Sequence, residues 1–203
     1  IASIEAEATE DVARLAASGA ISSYFDASKM SVVRSRAAWL LSLLLLQSAS
    51  AVVLTRFSGL LERNLLLALF LTMITGTSGN AGNQTSAVVI RALATGEISN
   101  ADAFKVLRRE LAIAAPLAFL LGVASFFRVV FTAGCQPAFS GLALRTGLTL
   151  AVAMALTVLC AVFVGTGAPL LLDKFGADPC NVASPALATF VDLAGVLVVC
   201  SIG

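Results

Sequence analysis

Histidine is absent from this sequence, and charge is scarce. Without imidazole the chain has neither the commonest transition-metal ligand nor the commonest general base. Asp, Glu, Lys and Arg together make up 12% of 203 residues, where soluble domains carry about 25%. The four cysteines, Cys135, Cys160, Cys180 and Cys200, are scattered with no C-x-x-C spacing. Zinc, haem and redox centres therefore lack a ligand framework. Cys160 and Cys200 lie in apolar runs and read as small core residues, while Cys135 and Cys180 pair only if they share a face. The net charge is +1 with no basic stripe, so no nucleic-acid partner is expected. With no nucleophile–base pair and no cofactor motif, an enzyme is not expected either.

What remains is apolar. Hydrophobic residues make up 59% of the chain and the mean hydropathy is +0.96, which points to an integral, multi-pass membrane protein of the all-α class. Five spanning helices are expected, at about 38–55, 65–94, 111–132, 142–164 and 185–202, each near the ~20 residues a bilayer requires. They form a transmembrane domain over 37–203. Trp39 is an interface anchor for the first helix, and Pro116 predicts a kink in the third. Residues 1–36 precede them as an amphipathic and interfacial segment. Ile4, Ala8, Val12 and Leu15 recur at helical spacing against Glu5, Glu7, Glu10 and Asp11, predicting a short helix that ends near Gly19. This acidic stretch is neither a transit peptide nor a signal peptide, and a start at Ile1 fits a processed or partial sequence.

Lys and Arg are divided unevenly between the two ends of these helices. Lys29, Arg34, Arg36, Arg91, Lys105, Arg108, Arg109 and Lys174 fall on one side, and Arg56, Arg63, Arg128 and Arg145 on the other. The positive-inside rule then places the N-terminus inside and the C-terminus outside. Small residues repeat every four positions in the third helix (Ala114, Ala118, Gly122) and in the fourth (Gly147, Ala151, Ala155), as close helix packing requires.

Two features resist a purely structural reading. Thr75 to Ser86 reads Thr-Gly-Thr-Ser-Gly-Asn-Ala-Gly-Asn-Gln-Thr-Ser, a polar, glycine-broken stretch in the middle of the second spanning helix. Such residues also serve helix packing, but a whole run of them at hydrocarbon depth favours an ion or substrate path. The second feature is Asp192, which alone among twelve acidic residues falls well inside a spanning run. Its ionised burial costs about 2.5–3.5 kcal/mol on insertion scales. That cost is met when the carboxylate faces water, a partner charge or a cation. The alternative is a protonated Asp used in helix packing. Ala188, Thr189 and Gly195 lie within one turn of Asp192, leaving room beside it for a hydrated ion. A carboxylate with amide, hydroxyl and carbonyl oxygens suits a hard cation, and Mg²⁺ keeps several waters and takes only one or two carboxylates. One acid per chain is sufficient if a two-fold axis brings two copies together.

These residues resemble the membrane domain of the MgtE family of magnesium channels and transporters. The likeness rests on Arg36-Ala-Ala-Trp39-Leu40, Gly79-Asn-Ala-Gly-Asn-Gln-Thr85, Arg91-Ala-Leu-Ala-Thr-Gly-Glu97, Arg109-Glu110-Leu111, and Asp178-Pro179 through Pro185 to Asp192. It covers about Ser31 to Gly203, and Asp178-Pro-Cys-Asn-Val-Ala-Ser-Pro185 is closest to the eukaryotic solute-carrier branch. The resemblance implies a homodimer in the lipid bilayer with a cation path near its axis, Mg²⁺ being the transported ion. It implies Asp192 as the main pore ligand, backbone carbonyls at Ala188 and Gly76, the Asn83 amide with Asn80 beside it, and Asp178 at the mouth. Ala87, Ser184 and Cys180 depart from the family pattern, and the family's cytosolic regulatory domains do not fall within this sequence. An organellar membrane is compatible with these features. The alternative expectation is a non-transporting structural subunit that reuses the fold among other subunits of a membrane complex.

Overall fold

A computed structural model describes residues 28–134, 143–176 and 179–202. The amphipathic helix expected before Gly19, together with Cys135 and Asp178, lies outside the described residues. The described residues form six α-helices: α1 (Lys29–Arg56), α2 (Ser58–Arg63), α3 (Leu65–Ala94), α4 (Ala103–Gly134), α5 (Ala143–Lys174) and α6 (Pro179–Ile202). A 3₁₀ turn at Asn100–Asp102 joins α3 to α4. No strand occurs among the described residues. Four helices, α1, α3, α4 with its leading turn, and α5, are long and apolar enough to cross a membrane, and α6 adds a shorter apolar run at Leu187–Ile202. The outer surface carries large apolar side chains, among them Leu45 at 75% exposure and Phe119 and Phe131 at 73% each. This is the surface of an integral, multi-pass membrane protein, whose lipid face needs no polar cover.

The helices outrun the expected spans. α1 begins at Lys29, so Met30 to Arg36 form its first turns, not a separate approach. α4 starts at Ala103 instead of Leu111, because Lys105 to Glu110 are good helix formers that carry the helix past the apolar span. α5 runs on to Lys174, through Gly165, Gly167 and Pro169, where the sequence suggested a loop after Val164. α6 begins at Pro179, ahead of the expected Pro185, with proline in the first turn, where its missing N–H costs nothing. The largest correction concerns α3. It is helical from Leu65 to Ala94 with no interruption, and among the described residues only Gly96 and Gly176 have positive φ. The stretch 75–86 is polar but unbroken, and its carbonyls stay in the helical ladder.

α5 is the hub, packing against α4, α3 and α6. Its small residues make that possible. A Cβ at Gly122 on α4 would sit 3.0 Å from the Ala151 carbonyl oxygen and 3.7 Å from the Ala155 Cβ, so the two small-residue ridges pack on each other. A Cβ on Gly165 would run into the Gly82 backbone, so α3 and α5 cross main chain against main chain. Ile74, Leu150, Val158, Val129 and Val199 fill the core between these helices and are fully buried. Thr157 and Thr166 satisfy their buried hydroxyls by donating to the Ala153 and Val162 carbonyls at 2.7 and 2.8 Å. At one end of the bundle, Asn100 donates a hydrogen bond to Asp173, tying the α3–α4 connection to the end of α5.

Candidate functional site

α3 and α6 lie side by side on α5 and touch each other, whereas α1 packs on α6 and makes no substantial contact with α3. The α3–α6 register can be read from two contacts. A Cβ on Gly195 would meet the Thr75 methyl at 2.7 Å, and one on Gly82 would meet Leu187 Cδ2 at 3.2 Å. The helices are therefore antiparallel. Three residues inward along each from the Thr75–Gly195 contact, Ser78 stands opposite Asp192. At about 1.5 Å rise per residue, Gly76 and Asn80 lie ~3 Å along the axis on either side of that level, and Asn83 ~7.5 Å away. Ala188 stands opposite Gly82.

Helical geometry also fixes which way Asp192 looks. Leu187 and Val191 pack on Ala161 and Val164 of α5, and Gly195 wedges between Thr75 of α3 and Thr157 of α5. Continuing round α6 in the same sense at about 100° per residue, Ala188 and Asp192 come next, on the side away from α5. Beyond them Thr189, Val196 and Cys200 are buried, on the side that meets α1. On α3 the same construction starts from Gly82, which faces α5, and Thr75, which faces α6. Next come Gly79, Asn83, Gly76 and Asn80. Nothing lies within 4 Å of a Cβ built on Gly76 or Gly79. Asn80 and Gly76 are exposed, and Asn83, Ala188 and Asp192 are half-buried.

By this construction the space between α3 and α1 on α6 is a crevice at mid-span, with α6 as its floor. It brings Asp192, Ala188, Gly76 and Asn83 to one side of the protomer, with Asn80 at its rim. No Lys or Arg of α6 accompanies the carboxylate. Among the described residues no three His, Cys, Asp or Glu side chains converge on a point, so the crevice is no metal cage. Its single carboxylate with neutral oxygens suits a weakly held, hydrated hard cation, which a conducting site must also release.

A second, mostly apolar cavity carries a few polar groups that spacing along the sequence does not connect. A cavity of about 280 Å³ between α3 and α4 is lined by Thr77, Asn80 and Gln84 on one side and Glu110 and Ile113 on the other. Glu110 falls just ahead of the expected third span at 111–132. The extension of α4 places it within the helix, and its alignment with Gln84 across a gap is not a spacing within either segment. Outside the membrane span, Ser99 Oγ donates to Asp102 Oδ2 at 2.9 Å and Lys105 pairs with Oδ1 at 3.2 Å. The Ser99 hydrogen bond first, then Lys105, holds the Asp102 carboxyl below its ordinary value.

Known proteins are similar to this chain in sequence. Residues 71–202 match the family model described as MgtE, divalent cation transporter. The chain is 32% identical over 203 residues to a magnesium transporter MgtE from Thermus thermophilus, covering 98% of this chain and 42% of that protein. It is 30% identical over 196 residues to the Bacillus subtilis protein of the same name, covering 95% and 41%. With the Enterococcus faecalis protein the identity is 29% over 167 residues, covering 80% and 34%. The chain thus spans about two-fifths or less of the length of the curated relatives it matches.

Proposed function

This chain belongs to the MgtE family of divalent cation transporters, and from that premise we propose that it moves Mg²⁺ across its membrane along the α3–α6 crevice. The observation that carries this reading is the placement of Asp192. The one acid deep in a spanning helix stands level with Ser78, within the polar stretch of α3, on a half-buried face of α6. A carboxylate open to hydrocarbon would be costly. Facing a second copy across a two-fold axis, it becomes half of a two-carboxylate site, and a dication relieves the repulsion between the two charges.

In this reading Asp192 attracts and orients the ion through its water shell. Asn83 and Asn80 offer amide oxygens along the path. Gly76 and Ala188 contribute small cross-section, their carbonyls remaining in the helical ladder. Asp178, next before Pro179 in the sequence, is assigned to draw cations to the mouth. The glycines of α3 then have separate tasks. Gly82 is packed hard against α5, whereas Gly76 and Gly79 leave open space on the path.

The test is Mg²⁺ entry into liposomes that hold the purified chain, against protein-free liposomes, with the oligomeric state determined on the same sample. Entry that saturates with Mg²⁺, from a dimer, is the expected result. A folded protein that passes no Mg²⁺ and assembles only with other subunits would favour a structural role.

A further inference from the structure

α3 and α4 both pack on α5 but scarcely on each other. The space left between them is the cavity of about 280 Å³, with Leu117 and Leu121 of α4 along one wall and Val158 and Val162 of α5 as its floor. On α4 the lining runs from Glu110 to Leu121, about 16 Å at ~1.5 Å per residue. One leaflet, half of a hydrocarbon core ~30 Å thick, is about as deep. A slot of this length on a lipid-facing surface matches one acyl chain.

The slot has one polar end. A Cβ on Gly122 would meet Ala151 and Ala155, and one on Gly147 would meet Val130 and Phe126, so α4 and α5 are antiparallel. Counting equally along both helices from these contacts brings Glu110 to the level of Gly165, which itself lies against Gly82 of α3. Gln84 therefore stands within about one turn of Glu110 across the cavity, and Thr77 and Leu117 lie two turns deeper. Glu110 is half-buried, and among the described residues its carboxylate makes no hydrogen bond or ion pair. Arg109 points ~100° away from it, on the side opposite the Ala114, Ala118 and Gly122 ridge that packs on α5, and so lies at the open lip of the slot. Arg91 lies two turns beyond Gln84 on the same stripe of α3, and both arginines are exposed. The mouth thus offers a free carboxylate beside guanidinium groups, above an apolar trough. Long side chains on α4 lean toward its N-terminal end, which carries both charges outward from the trough.

We infer that the α3–α4 groove binds a phospholipid with a primary ammonium headgroup, a phosphatidylethanolamine. One acyl chain lies along Leu117 and Leu121 over Val158 and Val162. The ammonium donates to the Glu110 carboxylate, and Arg109, with Arg91 further out, holds the phosphate. The Gln84 amide donates to an ester carbonyl. Headgroup choice follows from the same groups. A choline nitrogen carries no N–H to donate, and a phosphatidylglycerol would set its phosphate beside Glu110 with no cation between them. The site does not depend on the proposed transport function.

The test is native mass spectrometry of the delipidated full chain in detergent, with dioleoyl lipids added in equal amounts. These are phosphatidylethanolamine, its N-methyl and N,N-dimethyl analogues, phosphatidylcholine and phosphatidylglycerol. One phosphatidylethanolamine per protomer is expected to be retained at least about fivefold over phosphatidylcholine, the worth of one hydrogen bond to a charged group. Retention is expected to fall stepwise along the methylation series. Glu110→Gln should remove that preference, and Leu117→Trp, which fills the slot, should reduce retention of every lipid. Equal retention of phosphatidylethanolamine and phosphatidylcholine by the unaltered chain would overturn the inference, whatever the variants do. A preference that survives in folded Glu110→Gln, or retention unchanged in folded Leu117→Trp, would also overturn it.

Discussion

Replacing Gly165 by alanine adds one methyl group where α5 meets α3. That methyl would lie 3.1 Å from the Gly82 carbonyl carbon, 3.2 Å from its Cα, and closer still to its oxygen. All three obstacles are main-chain atoms, so no rotamer change relieves the overlap and the two helices must move apart. Overpacking of this kind costs about 1–3 kcal/mol. Gly167, two residues on in the same helix, has nothing within 4 Å of its Cβ position, and there alanine brings only its gain in helix propensity, about 1 kcal/mol. Both substitutions share that gain, so their difference isolates the overlap. The ratio of unfolding constants between Gly165→Ala and Gly167→Ala is then about 5- to 150-fold, the equivalent of ~1–3 kcal/mol. Reversible unfolding in mixed detergent–SDS micelles, followed by circular dichroism, measures it. Equal stability of the two variants would show that α3 and α5 do not cross at Gly82 and Gly165, and the register built on that crossing would fall with it.

Other consequences follow from the same packing. Gly195→Ala should destabilise the chain because its methyl would meet the Thr75 methyl at 2.7 Å, and Thr75→Ser, which deletes that methyl, should restore the unfolding midpoint; no rescue would refute the α3–α6 contact. Gly79→Leu should leave unfolding unchanged within about 1 kcal/mol, since its Cβ position is open, while cutting Mg²⁺ flux at least tenfold; normal flux would take the path away from this face of α3. In the α3–α4 connection, the lowered Asp102 carboxyl contributes stability that is present above the ordinary aspartate range and is lost as the pH falls through its lowered value. Carboxyl titration by NMR should show the Asp102 midpoint rising in Ser99→Ala, and an unmoved midpoint would contradict the role of that hydrogen bond.

What the sequence disclosed and what it hid divide along a physical line. Asp192 was legible because an acid inside an apolar run has no cheap explanation. The ridges Ala114, Ala118, Gly122 and Gly147, Ala151, Ala155 were legible because spacing by four puts small residues on one stripe, and Gly122 does pack on Ala151 and Ala155. Helix ends were not. Hydropathy falls at Ala103 to Glu110 and again after Val164, but backbone hydrogen bonding continues through both, so α4 and α5 outrun their apolar cores. The glycines of 75–86 suggested a break because glycine is a poor helix former in isolation. In α3, packing overrides propensity: Gly82 and Gly165 bring two backbones together and the ladder stays intact. The crevice itself was hidden, since its walls depend on α1 and α3 both packing on α6 without packing on each other. Glu110 was hidden for the same reason, belonging to a surface shared by segments distant in sequence.

The central claim is that Asp192 holds the transported ion by its charge. Mg²⁺ flux into liposomes bearing wild type, Asp192→Asn or Asp192→Glu tests it most directly, with dimer content and unfolding midpoint checked on each sample. Flux should fall at least tenfold in the neutral variant and return in part in the glutamate, at equal dimer content. An Asp192→Asn protein that is folded, dimeric and carries Mg²⁺ at the wild-type rate would contradict the account.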